Sequence, residues 1–328
     1  MSRRIAFVFP GQGAQKVGMG LELSNTYPEA QAVFNTFDSV MDQRDNPCLS
    51  NIVFNGPAET LTQTQFTQPG ILATSLAALA VFQTNNPNIR PVVTAGHSLG
   101  EYGALVAANV LTVEQASLLV VERACLMSQA SAGAMSAVLG LNAVSVETVL
   151  ASYRLANPNA VVAIANDNSP EQQVITGQPE AVAAVEPLLK EAGAKRVIPL
   201  TVGGAFHSPL MTPAAQSFQG FLADKPFANA TVPVITNVSA SQAPQGQRDA
   251  DTFRAQLSQQ IDHSVQWTAT MQAMIETHQV DTIIEFGPGT VLSGLFKKFN
   301  RSLTCLNVSD TATLETTMSA LQAEPALV

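Results

Sequence analysis

The sequence predicts an α/β protein with a mostly parallel sheet, into which a smaller ferredoxin-like unit is inserted. Three observations predict it. Short β-branched or aromatic runs alternate with helical stretches at both ends of the chain, the pattern of a parallel sheet covered by helices. One of those strand-to-helix junctions carries Gly96-His97-Ser98-Leu99-Gly100. Between about residues 132 and 200 the texture changes to strand, helix, strand, strand, helix, strand, which is the order of a ferredoxin-like unit.

In order along the chain, Ile5–Phe9 reads as a buried strand ending at Pro10-Gly11. Helices are expected near Leu21–Val40 and Gln68–Gln83. Val92–Ala95 is the next strand, followed by a helix from Glu101 and another over about Val113–Ser131. The inserted unit reads as strands at Ala134–Leu139, Val161–Ala165, Gln172–Thr176 and Arg196–Leu200, with helices at Ser145–Leu155 and Glu180–Ala192. α/β texture then returns, with a strand at Val232–Val238, helices near Asp251–Ile261 and Trp267–Thr277, a strand at Thr282–Phe286, and a helix after Gly287-Pro288-Gly289. The resulting division is 1–131 with 201–328, and 132–200.

Composition narrows the function. Hydrophobic residues make up 46% of 328 residues and charged residues only 12%, enough apolar side chain for a large core. A net charge of −9 with 16 basic residues argues against nucleic acid as a partner. No run approaches eighteen or so uninterrupted apolar residues, so no membrane span is expected. Cys48, Cys125 and Cys305 are odd in number and lack metal-ligand spacing, which fits a reducing cytoplasm without a disulfide framework or metal site.

The Gly96–Gly100 pentapeptide carries the chemistry. Strand, sharp turn and helix form a nucleophile elbow, in which flanking glycines allow a strained turn that lifts the Ser98 hydroxyl out of the sheet. A serine nucleophile needs a base. Of four histidines, His97 adjoins the nucleophile and points elsewhere, His278 at a helix end reads as solvated, and His263 lies in a polar helix-end segment. His207, in Gly203-Gly204-Ala205-Phe206-His207-Ser208, has small neighbours suited to close approach. Asp167 falls between Ser98 and His207 in chain order but lacks a catalytic context. A backbone or amide carbonyl could fix the imidazole tautomer instead.

Arg123 shares a helical face with Ala116, Leu119, Val120 and Met127, with no acid three or four residues away. A distant ion pair would explain it. So would a guanidinium fork that binds a substrate carboxylate bidentately. Phe9-Pro10-Gly11-Gln12-Gly13 has Lys16 where a dinucleotide fingerprint needs glycine, and a glycine-flanked Gln12 at a strand end could instead point its backbone N–H into the site. The N–H of Leu99 would be the second oxyanion donor.

These motifs, with Val265-Gln266-Trp267 and Glu285-Phe286-Gly287-Pro288-Gly289, resemble those of malonyl-CoA:acyl carrier protein transacylases over essentially the whole chain. The resemblance implies an α/β-hydrolase-like core with the ferredoxin-like insert, a monomer, and no cofactor beyond malonyl-CoA and the carrier's phosphopantetheine. It implies acyl carrier protein as partner, Ser98 as the acylated nucleophile, His207 as base and acid, and Arg123 as the grip on the malonyl carboxylate. Gln12 and Leu99 would form the oxyanion hole. The main-chain carbonyl of Gln260 would orient His207, and Phe206 would disfavour a methylmalonyl group. Family members usually carry Ser where this chain has Gly103, a change expected to be structural. Lys190, Lys195, Arg196, Lys297 and Lys298 are the basic residues that could steer an acidic carrier. An esterase or thioesterase is the rival that the elbow alone supports. A non-catalytic carrier-binding scaffold is the second.

Overall fold

The computed structural model describes residues 3–130 and 133–322. Its larger sheet contains β1 (Ile5–Phe9), β2 (Val93–Gly96), β7 (Val234–Ile235), β9 (Thr282–Phe286) and β10 (Thr304–Val308). They lie in the order β10-β9-β1-β2-β7, and every pair is parallel. β1 is the central strand and is buried on both faces. Phe7 and Phe9 enter one hydrophobic cluster while Ala6 and Val8 enter another across the sheet. A parallel strand covered by helices on both sides reads as a continuous apolar run for this reason.

The second sheet contains β3 (Ala134–Leu139), β4 (Val162–Ser169), β5 (Gln172–Gly177), β6 (Arg196–Pro199) and β8 (Val265–Gln266), in the order β6-β3-β5-β4-β8. Pairing is antiparallel except where β8 joins β4 in parallel. Helices Ala143–Ala156 and Pro179–Glu191 pack on this sheet around a cluster of their own. Because β8 comes from the distant Val265-Gln266 segment, the two sheets are tied together by backbone hydrogen bonds.

Several elements differ from expectation for identifiable reasons. The stretch from Leu21 to Val40 is two helices, Leu21–Thr26 and Pro28–Asp42, because Pro28 holds Tyr27 extended (φ −123°, ψ 122°). The helix carrying Arg123 runs Val113–Ser128, opened by a capping box between Thr112 and Gln115. The expected end at Ser131 and the division between 131 and 132 fall outside the described residues. The strand expected at Val232–Val238 shortens to Val234–Ile235, and Asn237 leaves the sheet to reach the elbow. The helix Thr64–Asn85 is long and apolar enough to cross a membrane by length and composition, a feature the sequence reading missed. However, 89% of its apolar window is packed inside the fold. A helix apolar on all sides is here a core helix.

Glycines allow the elbow and β1 to meet. A Cβ on Gly100 would stand 2.1 Å from the Phe9 carbonyl oxygen, and one on Gly96 would stand 1.9 Å from Gly100 backbone. At Gly103 it would meet the Phe9 ring at 2.6 Å, so the missing side chain makes room for that ring. Glu285 of the Glu-Phe-Gly-Pro-Gly motif is buried and accepts the Leu292 and Ser293 N–H groups at 3.0 and 2.8 Å, capping helix Val291–Phe299. Gly100→Ala should be strongly destabilising, because backbone cannot yield as a side chain can. We expect a loss above the roughly 1–3 kcal/mol of ordinary overpacking, read by denaturant unfolding. An unchanged midpoint would contradict the close approach.

Candidate active site

The turn from β2 into helix Gly100–Ala107 places Ser98 in the left-handed region, φ 51°. A non-glycine residue there is strained and must be held by its surroundings. Asn237 holds it. Its Oδ1 accepts the Ser98 N–H at 2.7 Å, its Nδ2 donates to the Gly96 carbonyl at 2.7 Å, and its own N–H donates to Glu101 Oε2 at 2.8 Å.

His207 also has positive φ, 58°, and lies nearly buried. Its Nε2 is 2.8 Å from Ser98 Oγ. Its Nδ1 faces the Gln260 carbonyl at 2.8 Å and the His263 carbonyl at 3.1 Å. Carbonyl oxygens only accept, so Nδ1 carries the proton and Nε2 is left to accept from the serine. Burial first, and the nearby Arg123 charge second, push the His207 pKa down to about 3. The imidazole is therefore neutral at physiological pH and competent as a base.

Arg123 is fully buried. Its Nη1 donates to Gln68 Oε1 at 2.5 Å, and its Nη2 donates to Ser98 Oγ at 2.9 Å and Gln260 Oε1 at 3.0 Å. Among the described residues no carboxylate forms an ion pair with it, and its Nε has no partner. The distant ion pair allowed by the sequence is thus not what holds this charge. Burial pushes the guanidinium pKa down, yet it stays protonated. Glu101, also buried, is pushed up to about 7 by desolvation. The Gln260 side chain separates the two, donating Nε2 to Glu101 Oε2 at 2.9 Å and to the Ser98 carbonyl at 3.0 Å.

A cavity of about 420 Å3 opens beside Ser98, lined among others by Gln12, Leu99, Gln68, Phe206 and His207. The backbone N–H groups of Gln12 and Leu99 have no partner among the described residues, which leaves both free for a ligand oxygen. His97 is turned aside, its Nε2 on Asn168 Oδ1 at 2.7 Å and its ring 5.5 Å from that of Trp267.

Ser98, His207, Arg123, Gln260, Gln12, Leu99 and Phe206 thus converge as read from the sequence. Asp167 does not join them, because it accepts from Thr268 Oγ1 at 2.6 Å. His278 is a correction: it is buried, with Nε2 on the Pro244 carbonyl at 3.1 Å, because the chain folds the Ser239–Arg248 loop over it. Of the basic residues, Lys195 stands 3.6 Å from Glu171. The sequence reading missed Gln68, Asn237 and Asn168. Asn237 sits just past a strand whose end could have drawn attention, but Gln68 lies unmarked inside a core helix.

With its base held neutral, labelling of Ser98 by a serine-directed sulfonyl fluoride should not fall from about pH 8 to about pH 5 in Glu101→Gln, which removes the buried carboxyl pushed up to about 7. A fall centred near the ordinary histidine value of about 6.5 would show that His207 titrates normally.

Comparison with known proteins agrees with this arrangement. A family profile described as the acyl transferase domain matches residues 6–318. The malonyl CoA-acyl carrier protein transacylase of Bacillus subtilis (strain 168) is 42% identical over 324 residues, covering 98% of each chain. That of Haemophilus influenzae is 40% identical over 313 residues, 94% of this chain and 96% of the relative. The crystal structure of an acyl carrier protein S-malonyltransferase from Vibrio cholerae superposes with a TM-score of 0.88 at 39% identity, covering 96% of this chain and 99% of that one. A malonyl-transacylase solved in complex with a type II PKS acyl-carrier protein gives 0.89 at 36% identity, over 97% and 99%. The chain is an acyltransferase and belongs to the acyl transferase family, among the malonyl CoA-acyl carrier protein transacylases.

Proposed function

We propose that this enzyme moves a malonyl group from malonyl-CoA to the phosphopantetheine thiol of acyl carrier protein through a malonyl-Ser98 ester. The observation that carries this reading is the buried Arg123 fork, without a carboxylate of its own, bonded to the nucleophile. Ser98 Oγ attacks the thioester carbon while its proton passes to His207 Nε2. The Oγ–C bond forms, and the oxyanion is met by the N–H groups of Gln12 and Leu99. The C–S bond then breaks, and the CoA sulfur takes the proton back from His207. In the second half the carrier thiol gives its proton to His207, its sulfur bonds the acyl carbon, and Ser98 Oγ leaves with that proton.

Arg123 contributes twice. In the resting site its Nη2 holds Ser98 Oγ, and its charge disfavours a second cation on His207. A malonyl carboxylate on the fork neutralises that charge and raises the basicity of His207 as the substrate binds. Phe206, on the cavity wall, would crowd a methyl on the malonyl carbon, a preference worth about 1–3 kcal/mol rather than an exclusion.

We read the fold as an α/β-hydrolase-like core, 1–131 and 201–328, with a ferredoxin-like insert at 132–200 and the site in the cleft between. The β6-β3-β5-β4 order supports the insert, and Met135 and Asn166 from that segment line the same cavity as Ser98. Three free cysteines fit a reducing cytoplasm.

Intact mass after brief mixing with malonyl-CoA should show one added malonyl group, discharged when carrier is supplied and absent in Ser98→Ala. Free malonate released as fast as CoA without carrier would favour a hydrolase. Arg123→Ala should lower kcat/KM for malonyl-CoA about a hundredfold or more, as expected when a hydrogen-bonded charge pair is lost, and should relax rejection of acetyl-CoA. Unchanged malonyl transfer would remove Arg123 from the carboxylate site.

A further inference from the structure

The buried carboxyl of Glu101 is not used by any step above, yet two site segments converge on it. Its Oε2 accepts both the Asn237 N–H at 2.8 Å and Gln260 Nε2 at 2.9 Å. Among the described residues it has no ion-pair partner of its own within 4.0 Å. Gln260 in turn serves the site with its main-chain carbonyl and both ends of its side-chain amide. Its carbonyl meets His207 Nδ1, its Nε2 meets the Ser98 carbonyl and Glu101, and its Oε1 meets Arg123 Nη2.

A side-chain amide is nearly symmetric in shape and can sit either way round. Here only one orientation works. Turned over, its NH2 would face the Arg123 N–H and its oxygen would face the Glu101 and Ser98 oxygens. Both contacts would be lost at a fully buried amide. We propose that Glu101 is a positioning residue that acts through the Gln260 amide: by accepting Nε2 it commits Oε1 to Arg123, and this holds the guanidinium fork in the plane that receives a substrate carboxylate. The inference rests on the reading of Arg123 as carboxylate grip. It assigns carboxylate selectivity to a residue adjoining the elbow that need not touch the substrate.

The test measures kcat/KM for acylation of Ser98 by malonyl-CoA and by acetyl-CoA, as a ratio, in wild type, Glu101→Ala and Glu101→Gln. Glu101→Gln keeps a carbonyl oxygen where Oε2 stands. The expected result is a malonyl-to-acetyl ratio lowered about tenfold in Glu101→Ala, the scale of one hydrogen bond to a charged group. Acetyl acylation should fall by less than malonyl acylation, and the ratio should recover in Glu101→Gln. Equal losses on both substrates, or an unchanged ratio, would overturn the proposal, because a purely structural role moves both alike. If Glu101→Ala does not fold, Glu101→Met carries the same test: it keeps the length of the side chain but cannot accept from Gln260 Nε2, and a wild-type ratio there overturns the proposal equally. Wild type that forms no malonyl-serine adduct would instead defeat the reading of Arg123, so the two failures are distinguishable.

Discussion

A fully buried guanidinium without a carboxylate partner among the described residues is the constraint around which this site is arranged. Removing a charge from water is costly unless its donors are satisfied. Arg123 meets most of the requirement with neutral acceptors, Gln68, Gln260 and the Ser98 hydroxyl, while its Nε has no partner among the described residues. The result is a cation whose field is not cancelled. That field suppresses protonation of His207 and is available to an incoming anion. A conventional ion pair in the same place would quench both effects.

The same neutrality governs the catalytic pair. A Ser-His-Asp arrangement orients its imidazole with a buried carboxylate. Here two backbone carbonyls, from Gln260 and His263, fix the tautomer without adding charge. Carbonyls hold geometry but stabilise the imidazolium less than a carboxylate does. On the proposed mechanism the base is weakest in the resting site and strengthens once a substrate carboxylate offsets Arg123.

Strain at Ser98 and His207 is borne by the scaffold. Both residues sit at positive φ, and each is held through its own N–H by a remote segment: Ser98 by the Asn237 side-chain oxygen and His207 by the Ile261 carbonyl at 3.1 Å. The glycines at 96 and 100 let the elbow lie against β1, which brings Gln12 beside Leu99. Gln260, at the end of helix Ala250–Gln260, then links nucleophile, base and arginine through one residue.

Sequence alone determined most strands of both sheets and the candidate side chains, because both leave local signatures. The elbow is a contiguous pentapeptide, the Arg123 face follows helical period, and β1 shows its double burial as an unbroken apolar run. Ser98, His207, Arg123, Gln12 and Leu99 were legible this way, and Gln260 through family likeness. What only the tertiary structure decided is what these side chains bond to. The sequence left open whether Arg123 meets a distant acid, and only the folded chain brings Gln68 and Gln260 to it from positions 55 and 137 residues away. Asn237, Asn168 and Gln68 left no local mark because a hydrogen bond between remote segments imposes no period and no spacing on either. The burial of His278 was misread for the same reason, since the loop that covers it adjoins it only in space.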